Sequence, residues 1–124
     1  MLRYLILSIA VTAFVAAAQP VLAQKAGPNG GMVAGKAGHE TELVVSPTEL
    51  TVYVLDGGKA HSSKGVAMKA VVQEAGKTTK FAFVDVDGER LVAKLGAPLG
   101  KGAIVVLTGK DDHGDAISAR FVVK

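Results

Sequence analysis

The side chains of this 124-residue chain best suited to chemistry are three histidines, His39, His61 and His113, and the carboxylates beside them. The chain has no cysteine, which excludes a disulfide scaffold, a thiolate zinc site, an iron–sulfur cluster and a cysteine nucleophile. A metal site must therefore be built from imidazole, carboxylate and thioether. Imidazole and oxygen suit Cu(II), Zn or Ni, and thioether suits Cu(I). His39 leads the candidates, because His39-Glu40-Thr41-Glu42 is the densest local group of ligands. His61, His113, Asp112 and Glu42 follow in that order. In a strand, His39 and Thr41 face one way and Glu40 and Glu42 the other. His39 can share an ion with both carboxylates only from a position ahead of the strand, which Gly38 permits. Met68 alternates with an apolar face and reads as core. Such a site binds through neutral imidazoles, so protons compete for it near about pH 6.

Other arrangements resemble functional motifs and fail on spacing. Gly96-Ala97-Pro98-Leu99-Gly100-Lys101-Gly102 has one residue too few for a phosphate loop, and Gly102 stands where a magnesium-binding Ser or Thr is needed. Asp85-Val86-Asp87-Gly88-Glu89 and Asp111-Asp112-His113-Gly114-Asp115 have the composition of calcium loops without their ligand spacing or distal glutamate. Both read as turn chemistry, although the second gathers oxygen and imidazole ligands at one tip. His61-Ser62-Ser63 lacks the glycine-framed elbow of a nucleophile. No convergent catalytic set emerges, and the chain reads as a non-enzyme.

The elements that must position these residues are strands. Leu50, Val52 and Val54 alternate with Thr51, Tyr53 and Leu55, and the same period of two runs through 66–73, 90–95 and 117–124. No stretch after residue 23 has a helical period. Clusters at 46–48, 56–59, 75–77, 85–88, 96–102 and 111–114 punctuate the alternation as turns. The pattern predicts seven to eight strands, near 31–34, 40–46, 49–55, 66–74, 78–86, 90–95, 103–109 and 116–123. Strands so spaced predict an all-β, antiparallel two-sheet sandwich of immunoglobulin-like architecture, with a small barrel as the alternative. Residues 24–31 are polar and glycine-rich, and read as an extended or mobile arm.

Residues 1–23 read as a secretory signal peptide: Arg3, an apolar run from Leu5 to Ala18, and small residues ending at Ala23. The run falls short of the ~20 residues that span a bilayer. This predicts a periplasmic domain over 24–124, without stable membrane insertion after cleavage. Loss of Arg3 lowers the formal charge of +3 by one. The lysines are scattered and aromatic residues are few, so a nucleic-acid surface is not expected.

Gly27-Pro28-Asn29-Gly30-Gly31, followed by Gly38-His39-Glu40, Glu42-Leu43-Val44, Leu50-Thr51-Val52-Tyr53-Val54, Asp56 and Lys64-Gly65, carries a family resemblance. Over 27–65 the chain resembles small exported bacterial proteins and a short segment of the periplasmic adaptor subunits of heavy-metal cation efflux systems. The resemblance implies a periplasmic β-sandwich linked to Cu, Zn, Co or Ni handling, with metal-efflux components or another envelope protein as partners. It carries over His39 as the histidine ahead of the strand and Glu42 as the acidic position within it. Asn29, Gly30 and Gly31 match a glycine-rich element. Glu40 stands where several relatives have a second histidine, and Ala60-His61 where relatives have Pro-Val. The resulting expectation is a small protein that binds or accompanies a divalent transition metal as cargo. The alternative is a metal-free module engaging an envelope partner through a sheet edge or through its glycine-rich arm.

Overall fold

The computed structural model describes residues 24–124, and the expected signal peptide lies outside them. The described chain is all strand and turn. Eleven strands run in order as β1 (Lys25–Ala26), β2 (Met32–Lys36), β3 (His39–Val45), β4 (Glu49–Asp56), β5 (Lys59–His61), β6 (Ala67–Glu74), β7 (Lys77–Ala82), β8 (Val84–Asp85), β9 (Leu91–Lys94), β10 (Ile104–Lys110) and β11 (Ala116–Val122). They form two antiparallel sheets. One follows the order β1-β2-β3-β4-β9-β8, with β5 also on β4, and the other the order β11-β10-β6-β7. The orders β3-β4-β9-β8 and β11-β10-β6 are those of the A-B-E-D and G-F-C sheets of an immunoglobulin-like sandwich, and β7 adds an edge strand beside C.

Alternation drives this packing. Leu43, Leu50, Val52 and Leu91 from the first sheet meet Ala70, Val105, Leu107 and Phe121 from the second, all buried between them. Removing such apolar surface from water is the main favourable term of the fold. Met68 belongs to this core, as its strand period requires.

The structure differs from the sequence reading in three places. The expected strand over 78–86 is two strands, β7 and β8, which belong to different sheets. Phe83 sits between them, packs against the core, and donates its N–H to the Met68 carbonyl at 3.1 Å. The chain thus crosses from one sheet to the other at a sandwich edge, a feature that period-two alternation does not encode. A short strand β5 also appears. Gly57 and Gly58 both take positive φ (59° and 81°), which builds a two-residue turn and folds Lys59–His61 back on β4.

The third difference is the arm over 24–31, which is structured. Lys25 and Ala26 pair with Val33 and Met32, and the Gln24 side chain both donates to the Val122 carbonyl and accepts from the Val122 N–H. The turn over 27–31 lies against β3 so closely that a Cβ on Gly31 would meet the Leu43 carbonyl, and one on Gly27 the Glu42 carboxylate. The glycines of this motif therefore serve close approach.

Candidate metal centre

The centre is assembled at one end of the sandwich. His39 opens β3, immediately after Gly38, whose φ of 84° turns the chain into that strand. Facing it from the other sheet is the turn over 111–115 between β10 and β11, where Lys110 and Ala116 close the ladder. Asp111 builds this turn. Its Oδ1 accepts the N–H groups of His113 (2.9 Å) and Asp115 (2.8 Å), and its own N–H donates to the Asp115 carbonyl at 2.9 Å. An aspartate that accepts from backbone two and four residues ahead is the local reason the loop adopts one shape.

With Oδ1 so committed, Oδ2 of Asp111 points to His39 and lies 3.6 Å from Nδ1. The Asp111 side chain is 12% exposed and that of His39 33%. Burial of Asp111 raises its pKa, but the backbone donors Asp115 and His113, and the neighbouring His39 and His113, lower it more. The net result is a carboxyl held below its ordinary value of 3.8, and so ionised at neutral pH. Asp115 completes the group. One ligand atom each from His39, Asp111 and Asp115 lies within 4.8 Å of the others. A cation bound about 2.0–2.2 Å from an imidazole nitrogen and carboxylate oxygens fits such a triangle.

These three residues border a cleft of about 180 Å³ that His61, His113, Asp56 and Asp112 also line. All three histidines therefore line one cleft, although they are widely separated in sequence. His113 stands at the rim, 76% exposed, with its Nε2 3.8 Å from Asp112 Oδ1. The cleft receives residues from both sheets.

Of the residues expected from sequence, His39, His61, His113 and Asp112 share this cleft. Glu42 does not. It lies on the opposite face of β3 from His39, fully buried, and its carboxylate accepts from Asn29 N (2.9 Å), Asn29 Nδ2 (2.8 Å) and Gly31 N (2.8 Å). Its carboxylate holds the glycine-rich turn, with both oxygens already accepting N–H donors. Period-two geometry puts the two residues on opposite faces of β3, so their closeness in sequence does not bring Glu42 to this cleft. The sequence reading also missed Asp111 and Asp115. It recognised the oxygen-rich tip but chose Asp112, whereas turn geometry presents the first and last aspartates to His39.

The loops set aside on spacing behave as turns. Asp85 accepts from Gly88 N (2.9 Å) and Ser63 Oγ (2.8 Å), and Asp87 from Glu89 N (3.0 Å). The segment over 96–102 joins β9 to β10, with its Gly100 N–H donating to Glu74 at 2.8 Å.

No protein-family model matches the chain, and neither a curated protein nor a solved structure is found to match it.

Proposed function

We propose that this protein is a non-enzymatic carrier of a divalent transition-metal ion (Cu, Zn, Ni or Co) in the periplasm. The observation that carries the reading is the convergence of His39, Asp111 and Asp115, from two different sheets, to within 4.8 Å in a cleft that His61 and His113 also line. One imidazole and two carboxylates give a borderline donor set suited to such ions. Ligands that stay partly exposed leave coordination positions to water or to an exchanging ligand, as cargo requires, whereas structural zinc sites are closed. The likeness of residues 27–65 to a segment of heavy-metal efflux adaptors supports placing the protein beside such a system. The signal-like residues 1–23 support its export.

This reading stands ahead of the metal-free interaction module. The arm that would engage a partner has the Asn29 and Gly31 N–H groups already donated to Glu42. The edge strand β8 is only two residues long, and the longer edge strand β7 carries the exposed Lys77 and Lys80, charges that oppose strand addition.

Calorimetric titration of the purified protein with Zn(II), Ni(II) and Cu(II) tests the proposal. Saturable one-to-one binding that is lost in His39→Ala is expected. Binding no tighter than ~100 μM, about −5.5 kcal/mol, for all three ions overturns it.

A further inference from the structure

Resting on that reading, we infer that His61 is the second nitrogen ligand, through Nε2, and that the resulting two-imidazole, two-carboxylate site selects Cu(II) and Zn(II) over Ca(II) and Mg(II). His39 and His61 lie twenty-two residues apart in sequence, and register brings them together. His61 pairs with Val54 on β4, and Val54 pairs with Thr41 on β3. Residues paired across neighbouring antiparallel strands share a face, and Thr41 shares its face with His39 two positions earlier. Val54 and Thr41 are buried between the sheets, so this is the inner face. His61 and His39 therefore stand on the same face, on either side of β4, at the end closed by the turn over 111–115. Two strand spacings of about 4.8 Å and a two-residue offset separate their backbones by roughly 11–12 Å. Two imidazoles reaching inward from that separation can share one ion; His61 lies outside the 4.8 Å group of His39, Asp111 and Asp115, and its ring closes on that group across the shared cleft when the ion binds.

The hydrogen bonding of His61 points to the same nitrogen. Its Nδ1 lies 2.9 Å from the Ser62 carbonyl oxygen. A carbonyl only accepts, so Nδ1 is the donor here, which in the neutral imidazole leaves the lone pair on Nε2. A metal-ligating histidine characteristically donates its other ring N–H to a carbonyl or carboxylate. The carbonyl is itself anchored. Ser62 Oγ donates to Gly88 O at 3.2 Å, and Ser63, fully buried, donates its N–H to Gly88 O (2.9 Å) and its hydroxyl to Asp85. The residues after His61 are thus clamped to the turn ahead of β9, and the two-glycine turn before it returns the chain over β4. His113 has no comparable support on its exposed rim, and its ring nitrogen faces Asp112.

Two neutral nitrogens change which ions fit. Ca(II) takes six to eight oxygens, and Mg(II) retains its water and prefers oxygen. Four nitrogen and oxygen ligands match Zn(II) in tetrahedral and Cu(II) in tetragonal geometry.

The test is pulsed EPR of the Cu(II)-loaded protein, which counts coordinated imidazoles, beside Zn(II) titration in a large excess of Ca(II) or Mg(II). The wild type is expected to show two imidazoles, His61→Ala one, and His113→Ala two. Zn(II) affinity is expected to fall at least about ten-fold in His61→Ala and to resist both competing ions. His61→Gln provides a second variant, and strand hydrogen exchange verifies that each variant keeps the fold. A single imidazole in the wild type, or an unchanged count and affinity in both His61 variants, overturns His61 as ligand while leaving the carrier reading intact. Displacement of Zn(II) by Ca(II) or Mg(II) overturns the selectivity. Absence of binding of any transition ion to the wild type overturns the carrier reading and this inference together.

Discussion

Asp111 divides its carboxylate between two tasks: Oδ1 folds the turn through His113 and Asp115, and Oδ2 faces His39. The charge is stabilised by those donors, so the carboxyl titrates below 3.8. The sign follows from linkage. A group with a depressed folded pKa contributes stability above its unfolded pKa, and that contribution is lost as pH falls through the folded value. Asp111→Asn keeps an acceptor for the turn but removes the charge. Urea unfolding is expected to find the variant less stable than the wild type at neutral pH, with the gap narrowing as pH falls below the ordinary value of 3.8. A gap that stays constant across that range would mean the turn uses only the geometry of the acceptor.

At the scale of elements, the arm and β3 are joined by one buried group. Glu42 is enclosed by N–H donors alone, from the Asn29 backbone, its side-chain amide and the Gly31 backbone. A glutamine there would turn an NH2 toward one of those donors, leaving buried donors without acceptors. Glu42→Gln is expected to cost about 1–3 kcal/mol. The loss should be local first, with faster amide exchange at Gly31 and in β1 before the rest of the sandwich responds. Unchanged exchange at Gly31 would show that strand pairing of Lys25 and Ala26, not Glu42, holds the arm. This arrangement also explains why the arm looked mobile in sequence. Glycine and asparagine signal a turn, but the carboxylate that fixes it lies eleven residues beyond Gly31 on another strand.

At the scale of the molecule, the proposed ion would link β3 and β5 of one sheet to the β10–β11 turn of the other. The chain has no cysteine, so no disulfide can join the sheets, and such a link would add a side-chain cross-link to the backbone crossings between them. An ion that binds the folded state alone adds about 2.7 kcal/mol at a free concentration of 100 Kd. For a domain of this size that corresponds to a Tm increase of roughly 10 °C or more. Thermal unfolding with and without Zn(II) is expected to show this shift, and to show none in His39→Ala. Equal shifts in both proteins would place the bound ion elsewhere.

Period-two alternation of Val, Leu and Thr, punctuated by Gly, Pro and Asp, was enough for an all-β sandwich, because a half-buried strand must alternate whatever its partners are. The same alternation put Met68 in the core and His39 opposite Glu42. Composition narrowed any metal site to imidazole, carboxylate and thioether, since the chain holds no thiol. The folded chain was needed for everything that depends on pairing. The crossing at Phe83, the return of β5 over β4, and the meeting of His39, Asp111 and Asp115 arise from contacts between distant segments, which local pattern does not record. The choice of Asp111 and Asp115 over Asp112 was a matter of turn geometry: within five consecutive residues, only the direction each carboxylate takes decides which of them faces the histidine.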